Sequence, residues 1–88
     1  MTADQARMAR AALKLSVRDV AALAKVSPNT VTRVESGLPV NNSTLAAIRT
    51  ALEAAGVIFV EENGEGPGVR LKKQRGGNGS IVPDNLDA

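Results

Sequence analysis

The 88-residue chain carries a net charge of +2 and is long enough for one small domain. It contains no cysteine and no histidine, which excludes disulfides and thiolate chemistry and argues against a metal site. No apolar run approaches the roughly 20 residues that span a bilayer, and the N-terminus lacks the apolar core of a signal peptide. We therefore expect a cytoplasmic protein without a cofactor, a membrane contact or a small-molecule ligand.

The positive charge is concentrated in the first two thirds of the chain. Residues 1–56 carry seven Lys or Arg and four Asp or Glu, a net charge of +3, whereas residues 57–88 have a net charge of −1. This asymmetry is compatible with a phosphate backbone as partner.

Two helices are predicted at the start of the chain. Residues 3–14 are rich in strong helix formers, and Ser16 with Asp19 three residues later is typical of a helix N-cap. The helical period places the inner face of the first helix on Met8, Ala11, Ala12 and Leu15, with Gln5, Arg7 and Lys14 towards water, and that of the second on Val20, Leu23 and Ala24.

Cap and stop signals define two more helices. Ser27-Pro28 predicts the start of a third helix, and Gly37 followed by Pro39 predicts its end. After a loop over 38–42, Ser43 is expected to cap a fourth helix that Gly56 ends. The predicted inward stripes are Val31 and Val34 in the third helix, and Leu45, Ile48, Ala51 and Leu52 in the fourth.

The character of the sequence changes after Gly56. Residues 57–60 are β-branched or aromatic, residues 63–68 are rich in turn formers, and residues 69–72 alternate apolar and charged side chains. This pattern predicts a β-hairpin. Residues 73–88 contain few apolar groups and predict a flexible tail. The basic residues where the hairpin meets this tail, Lys72, Lys73 and Arg75, are interpreted as a solvated charge run rather than as an arm on DNA.

The spacing of the second and third helices predicts a helix-turn-helix unit. Ala21 leaves room for two helices to cross closely, and a turn falls around Lys25-Val26. The outer face of the third helix is polar, almost free of acid, and consists of Pro28, Asn29, Thr30, Thr32, Arg33 and Ser36. Such a face can enter the DNA major groove, where Arg can bind guanine O6 and N7 and Asn can bind adenine N6 and N7.

Residues 7–56 resemble the helix-turn-helix domain of the XRE family, the phage repressors of the Cro/C1 type. The resemblance rests on ARAALKLSVRDVAALAKVSPNTVTRVESG followed by STLAAIRTALEAAGV. It implies a mainly α, four-helix lambda-repressor-like DNA-binding domain, here with a C-terminal β-hairpin. It also implies an ion pair between Arg10 and Glu35.

The resemblance further implies which residues contact DNA. Base contacts are expected from Pro28, Asn29, Thr30 and Arg33, to which the polar face adds Thr32. Backbone contacts are expected from Ser16, Val17, Ser36, Asn41, Asn42 and Ser43. Val17 stands where the family often has a phosphate-binding Gln, so Arg18 is a candidate replacement, and Ser27 can add a contact at a helix N-terminus.

A second departure from the family lies in the turn. Lys25 stands where the family usually has Gly with positive φ. A lysine held in that conformation costs roughly 1 kcal/mol, unless the turn has a different shape.

The hairpin raises the question of oligomeric state. Its strands either cap their own core or pair with a symmetry mate through an exposed edge. Because such proteins typically bind palindromic sites as two-fold dimers, we expect a homodimer through residues 57–72. The expected interface side chains are Val57, Ile58, Phe59, Val60, Val69 and Leu71.

The sequence therefore predicts a helix-turn-helix domain over 1–56, a dimerising hairpin over 57–72 and a tail over 73–88. The favoured function is a sequence-specific regulator of transcription that binds a palindromic operator in double-stranded DNA. The alternative is a protein-interaction module on the same fold, such as an antitoxin or a polymerase-associated adaptor. An enzyme is the weakest interpretation, because Glu61-Glu62 fits a solvated strand end better than an acid–base pair.

Overall fold

The computed structural model describes residues 1–73, which form four helices followed by a two-stranded hairpin. The fold class predicted from the sequence is thereby confirmed. None of the helices in this described part is long and apolar enough to cross a membrane. The predicted tail lies outside the described residues, apart from Lys73. The elements are α1 (Ala3–Ala12), α2 (Val17–Ala24), α3 (Pro28–Glu35), α4 (Asn42–Ala55), β1 (Val57–Val60) and β2 (Gly68–Leu71).

Side-chain caps fix where the helices begin. Ser16 and Asp19 form a capping box at the start of α2, and the Ser27 hydroxyl accepts the Thr30 N–H at 3.1 Å at the start of α3. The prediction that Ser43 caps α4 is wrong. Asn41 is the cap, because its Oδ1 accepts the Thr44 N–H at 3.1 Å and so satisfies a donor of the first turn.

The helix ends contain two residues in the left-handed conformation. α1 ends at Ala12, two residues earlier than predicted, and Lys14, which follows its C-cap, has φ 58°. Lys25 has φ 59° and ψ 45°, so the turn keeps the glycine-like shape without a glycine. Each is a non-glycine residue in a conformation that costs roughly 1 kcal/mol.

Small side chains allow the helices to pack closely around one core. Ala6 and Ala9 of α1 and Ala21 of α2 are almost fully buried, which brings the backbones of neighbouring helices together. Larger side chains from α2, α3, α4 and β1 complete the core, and Val69 of β2 packs against it. The remaining buried apolar residues are Val20, Ala24, Val31, Val34, Ile48, Leu52, Val57 and Phe59.

The predicted inner face of α1 is wrong at Met8 and Ala11, whereas Leu15 packs against the core as predicted. Met8 and Ala11 are exposed, whereas Gln5, expected to face water, is only 1% exposed. An alanine-rich helix has no strong apolar stripe, so tertiary packing decides its rotation. Leu23 of α2 is likewise 52% exposed instead of facing inward.

The hairpin packs on the helices through one face. Its antiparallel strands pair Val57 with Leu71 and Phe59 with Val69, and β2 contacts α1 while β1 contacts α4. Val57 and Phe59 are buried in the core of their own chain. The prediction that these two side chains form a dimer interface is therefore wrong, whereas Ile58 and Leu71 are exposed.

A buried amide ties the hairpin to α1. Gln5 Nε2 donates hydrogen bonds of 3.0 Å to the carbonyls of Val60 and Gly68, one on each strand. Its Oε1 accepts the Thr2 N–H at 2.9 Å. Every polar atom of this buried side chain is satisfied, as a stable interior requires.

Candidate nucleic-acid interface

The third helix presents a polar face to solvent. Its inner side buries Val31, Val34 and Glu35, which fixes its rotation against the body of the domain. Five of the six outer residues predicted from the sequence are exposed and Thr30 is half-buried. These outer residues are Pro28, Asn29, Thr30, Thr32, Arg33 and Ser36.

Some side chains on this face are already hydrogen-bonded within the protein, whereas others are free to bind a ligand. The Thr32 hydroxyl donates to the Pro28 carbonyl at 3.2 Å, and the Thr30 and Ser27 hydroxyls lie 2.8 Å apart. Arg33 Nη2 donates to the Pro39 carbonyl at 2.8 Å, which leaves its other N–H groups available. The Asn29 amide has no hydrogen-bond partner within residues 1–73, so its donors and acceptor are free for a ligand.

An ion pair holds α3 against α1. Arg10 Nε donates to Glu35 Oε2 at 2.7 Å, and Nη2 donates to Oε1 at 2.9 Å, a two-point contact. The Glu35 side chain is 10% exposed and the Arg10 side chain 28%. The hydrogen bonds from Arg10 to Glu35 raise the pKa of Arg10, and Arg7 Nη1 also donates to the Glu35 carbonyl. The Arg10–Glu35 pair therefore sets the position of the third helix.

The start of α2 is exposed and carries an unpaired cation. Ser16 and Arg18 are exposed, but Val17 is half-buried and packs against the core. Because the Val17 side chain packs inward, we expect Val17 to contact a ligand through its backbone N–H, in the first turn of α2. Hydrogen bonds from Ser16 lower the pKa of Asp19. The stabilisation from the Asp19 carboxylate is therefore present above the ordinary pKa of that carboxyl and is lost as the pH falls through its folded-state value, while the Ser16 hydroxyl still accepts the Asp19 N–H.

The remaining residues predicted to contact the DNA backbone lie between the end of α3 and the first turn of α4. Ser36 is the C-cap of α3, and Asn42 and Ser43 lie exposed in the first turn of α4. The Asn41 side chain already accepts the Thr44 N–H. Its carboxamide oxygen is therefore occupied, while the backbone N–H groups of Asn42 and Ser43 have no partner in the described chain.

The ion pairs sort the basic residues into two groups. Arg7, Arg10 and Arg49 are paired with acids, and Arg49 also lies 5.1 Å from the Phe59 ring centroid. The other basic residues of the described helical part have no acidic partner among residues 1–73. They are Lys14, Arg18, Lys25 and Arg33, all between the end of α1 and the end of α3.

The acids of this segment offset only part of that charge. Residues 13–36 contain only Asp19 and Glu35 as acids: Glu35 is paired with Arg10, whereas Asp19 accepts the Ser16 N–H and keeps its negative charge. The segment therefore combines unpaired cations with an exposed polar helix, an arrangement suited to a polyanion. The structure contains the Arg10–Glu35 pair that the resemblance implied, and it adds the pairs formed by Arg7 and Arg49.

The fold and this surface define a helix-turn-helix DNA-binding domain. Two short helices, α2 and α3, pack against each other, a tight turn joins them, and the second presents its outer face. A sequence model of one protein family, described as a helix-turn-helix domain, matches residues 3–57. The chain therefore belongs to this helix-turn-helix family, which confirms the resemblance seen in the sequence. A comparison with curated proteins finds no match.

Proposed function

We propose that the protein is a sequence-specific regulator of transcription of the Cro/C1 (XRE) type that inserts α3 into the major groove of double-stranded DNA. One observation carries the proposal. The buried face of α3 and the Arg10–Glu35 pair hold the helix in place while its opposite face stays exposed, with an Asn29 amide that lacks a partner among residues 1–73. Regulation of prokaryotic or phage genes places it in the cytoplasm.

The side chains on α3 suit direct recognition of bases. Asn29 in the first turn can make paired hydrogen bonds to adenine, and Arg33 one turn later can do so to guanine. Pro28, Thr30 and Thr32 add short side chains that let the helix approach the base edges. The Arg33–Pro39 hydrogen bond supports this role, because it restrains the guanidinium before DNA is bound.

Backbone contacts come from helix starts in the same segment. The N-terminus of α2 offers Ser16, the Val17 N–H and Arg18, and the N-terminus of α3 offers Ser27. Helix N-termini favour phosphate because their free N–H groups and dipoles point at the anion. Ser36, Asn41, Asn42 and Ser43 contribute on the other side of α3.

We propose that the hairpin over residues 57–72 joins two copies on a palindromic operator. A two-stranded sheet has unpaired edges, and Leu71 and Ile58 are 56% and 42% exposed on this hairpin. Val60 and Val69 are half-buried and lie beside them in the strands. The helix-turn-helix part, residues 1–56, contacts one half-site in each copy.

Removing the apolar character of the hairpin tests the dimer. Leu71→Asp is expected to convert a dimer to a monomer at tens of micromolar, as measured by size exclusion with light scattering. Leu23→Asp is the matched control, because Leu23 is 52% exposed but lies on α2. A monomeric native protein, or a dimer lost only with Leu23→Asp, contradicts the hairpin interface.

Selection of bound sequences from a random duplex pool tests the proposed function directly. We expect a palindromic motif whose half-sites contain a guanine read by Arg33 and an adenine read by Asn29. Failure of the native protein to bind any duplex at low salt contradicts the proposal and favours the protein-interaction module.

Arg33→Ala tests whether α3 recognises bases. The change is expected to weaken binding to the selected site by about 1 to 3 kcal/mol and to relax the preference at one base pair. Lys72→Ala is the control, since it removes a charge outside α3 and is expected to affect selected and random duplexes equally. An equal loss on random duplex for Arg33→Ala would assign Arg33 to a phosphate.

A further inference from the structure

Two lysines occupy backbone positions that favour glycine. Lys14 and Lys25 are the only non-glycine residues with positive φ among residues 1–73. An L side chain in this region clashes with its own backbone, and glycine does not. Both lysines are exposed, and neither side chain has a hydrogen bond or ion pair within the described part of the chain.

The backbone hydrogen bonds that close these two helix ends require a positive φ, but they do not involve the lysine side chains. After α1, the Leu15 N–H donates to the Arg10 carbonyl at 3.0 Å, and after α2 the Val26 N–H donates to the Ala21 carbonyl at 3.0 Å. This is the helix ending at which glycine is usual. A positive charge does favour a helix C-terminus, so that effect is the rival explanation for both lysines.

Lys14 and Lys25 lie at equivalent positions relative to the helices that are proposed to contact DNA. Lys14 lies two residues before Ser16, the cap of α2, and Lys25 lies two residues before Ser27, the cap of α3. In the sequence, each lysine therefore lies just before the start of a helix assigned to DNA. Glu35 is paired with Arg10, and neither lysine forms an ion pair with Asp19, the other acid of residues 13–36.

We propose that Lys14 and Lys25 bind DNA phosphates, and that they stand in left-handed positions where glycine would give a more stable fold. The inference rests on the proposed function. Their contacts carry no base information, so they raise affinity for all duplex DNA and hold α2 and α3 in register on the backbone.

Glycine substitutions separate the two explanations. Lys14→Gly and Lys25→Gly are each expected to reduce the slope of log affinity against log salt by about 0.9, and to weaken binding to a random duplex roughly eightfold at about 0.1 M salt. The urea midpoint of unfolding is expected to stay unchanged or to rise, because the backbone strain is relieved.

Charge-matched variants complete the experiment. Lys14→Arg and Lys25→Arg are expected to keep the salt slope of the native protein. Lys73→Gly, a control on an exposed lysine beyond the hairpin, is expected to change the salt slope less than Lys14→Gly or Lys25→Gly does. An unchanged slope for both glycine variants overturns the inference, as does a lower urea midpoint, which assigns the lysines to the helix C-termini. A native protein that binds no duplex instead contradicts the proposed function.

Discussion

Replacing Gln5 with leucine is expected to lower the free energy of unfolding by about 2 to 4 kcal/mol, measured by urea denaturation. The Gln5 side chain is buried and donates to the carbonyls of Val60 and Gly68. Leucine has a similar volume but no donor, so these carbonyls and the Thr2 N–H lose their partner. A buried polar group without a partner costs about 1 to 3 kcal/mol.

The Gln5→Glu variant gives the same site a pH dependence. Burial beside two carbonyl oxygens raises the pKa of the introduced carboxyl in the folded state. The folded state then binds the proton more tightly than the unfolded state, so the stability of this variant is highest below the ordinary pKa of a glutamate. It falls as the pH rises through the raised folded-state value.

Asn63→Ala, a change on the exposed turn of the hairpin, is the control for both Gln5 variants. Its free energy of unfolding is expected to stay within about 0.5 kcal/mol of the native protein. Native-like stability of Gln5→Leu, or a pH profile of Gln5→Glu that parallels the native one, would show that the amide does not hold the hairpin.

Breaking the Arg10–Glu35 pair is expected to be similarly damaging. Arg10→Met should lower the free energy of unfolding by about 2 to 4 kcal/mol, because it leaves a largely buried carboxylate without its two-point partner. Glu35→Gln should cost less, since the amide oxygen can still accept from Arg10. Urea denaturation of both variants measures the difference.

A double-mutant cycle isolates the pair from its surroundings. The combination of Arg10→Met with Glu35→Gln is expected to cost clearly less than the sum of the single changes. Arg18→Met, on an exposed cation without an acidic partner in the described residues, is the control and should change stability by less than about 0.5 kcal/mol. Additive single changes would mean that the two side chains contribute independently.

These two contacts give α1 a central position in the domain. Gln5 joins it to the hairpin, and Arg10 joins it to α3. If the hairpin pairs two copies, as proposed, then α1 is the rigid connection between the dimer contact and the recognition helix. Variants at Gln5 or Arg10 that remain folded should therefore accept half-site spacings that the native protein rejects.

Local sequence determined the elements that make this domain recognisable. Ser16, Ser27 and Gly37 carry cap and stop chemistry that acts within one helical turn, so the positions of α2 and α3 follow from the sequence alone. The polar outer face of α3 follows in the same way, because the inward stripe of Val31 and Val34 fixes its opposite side.

Only the tertiary structure decided the features that depend on contacts far apart in the chain. The alanine-rich α1 could have turned either face inward, and the carbonyls of the hairpin, more than fifty residues away, selected the side with Gln5. Contacts between distant residues also bury Val57 and Phe59. The ion pairs likewise leave four basic residues without acidic partners in the described chain: Lys14, Arg18, Lys25 and Arg33. Local patterns specify caps, turns and periodicity, whereas burial and charge pairing depend on which distant residues become neighbours.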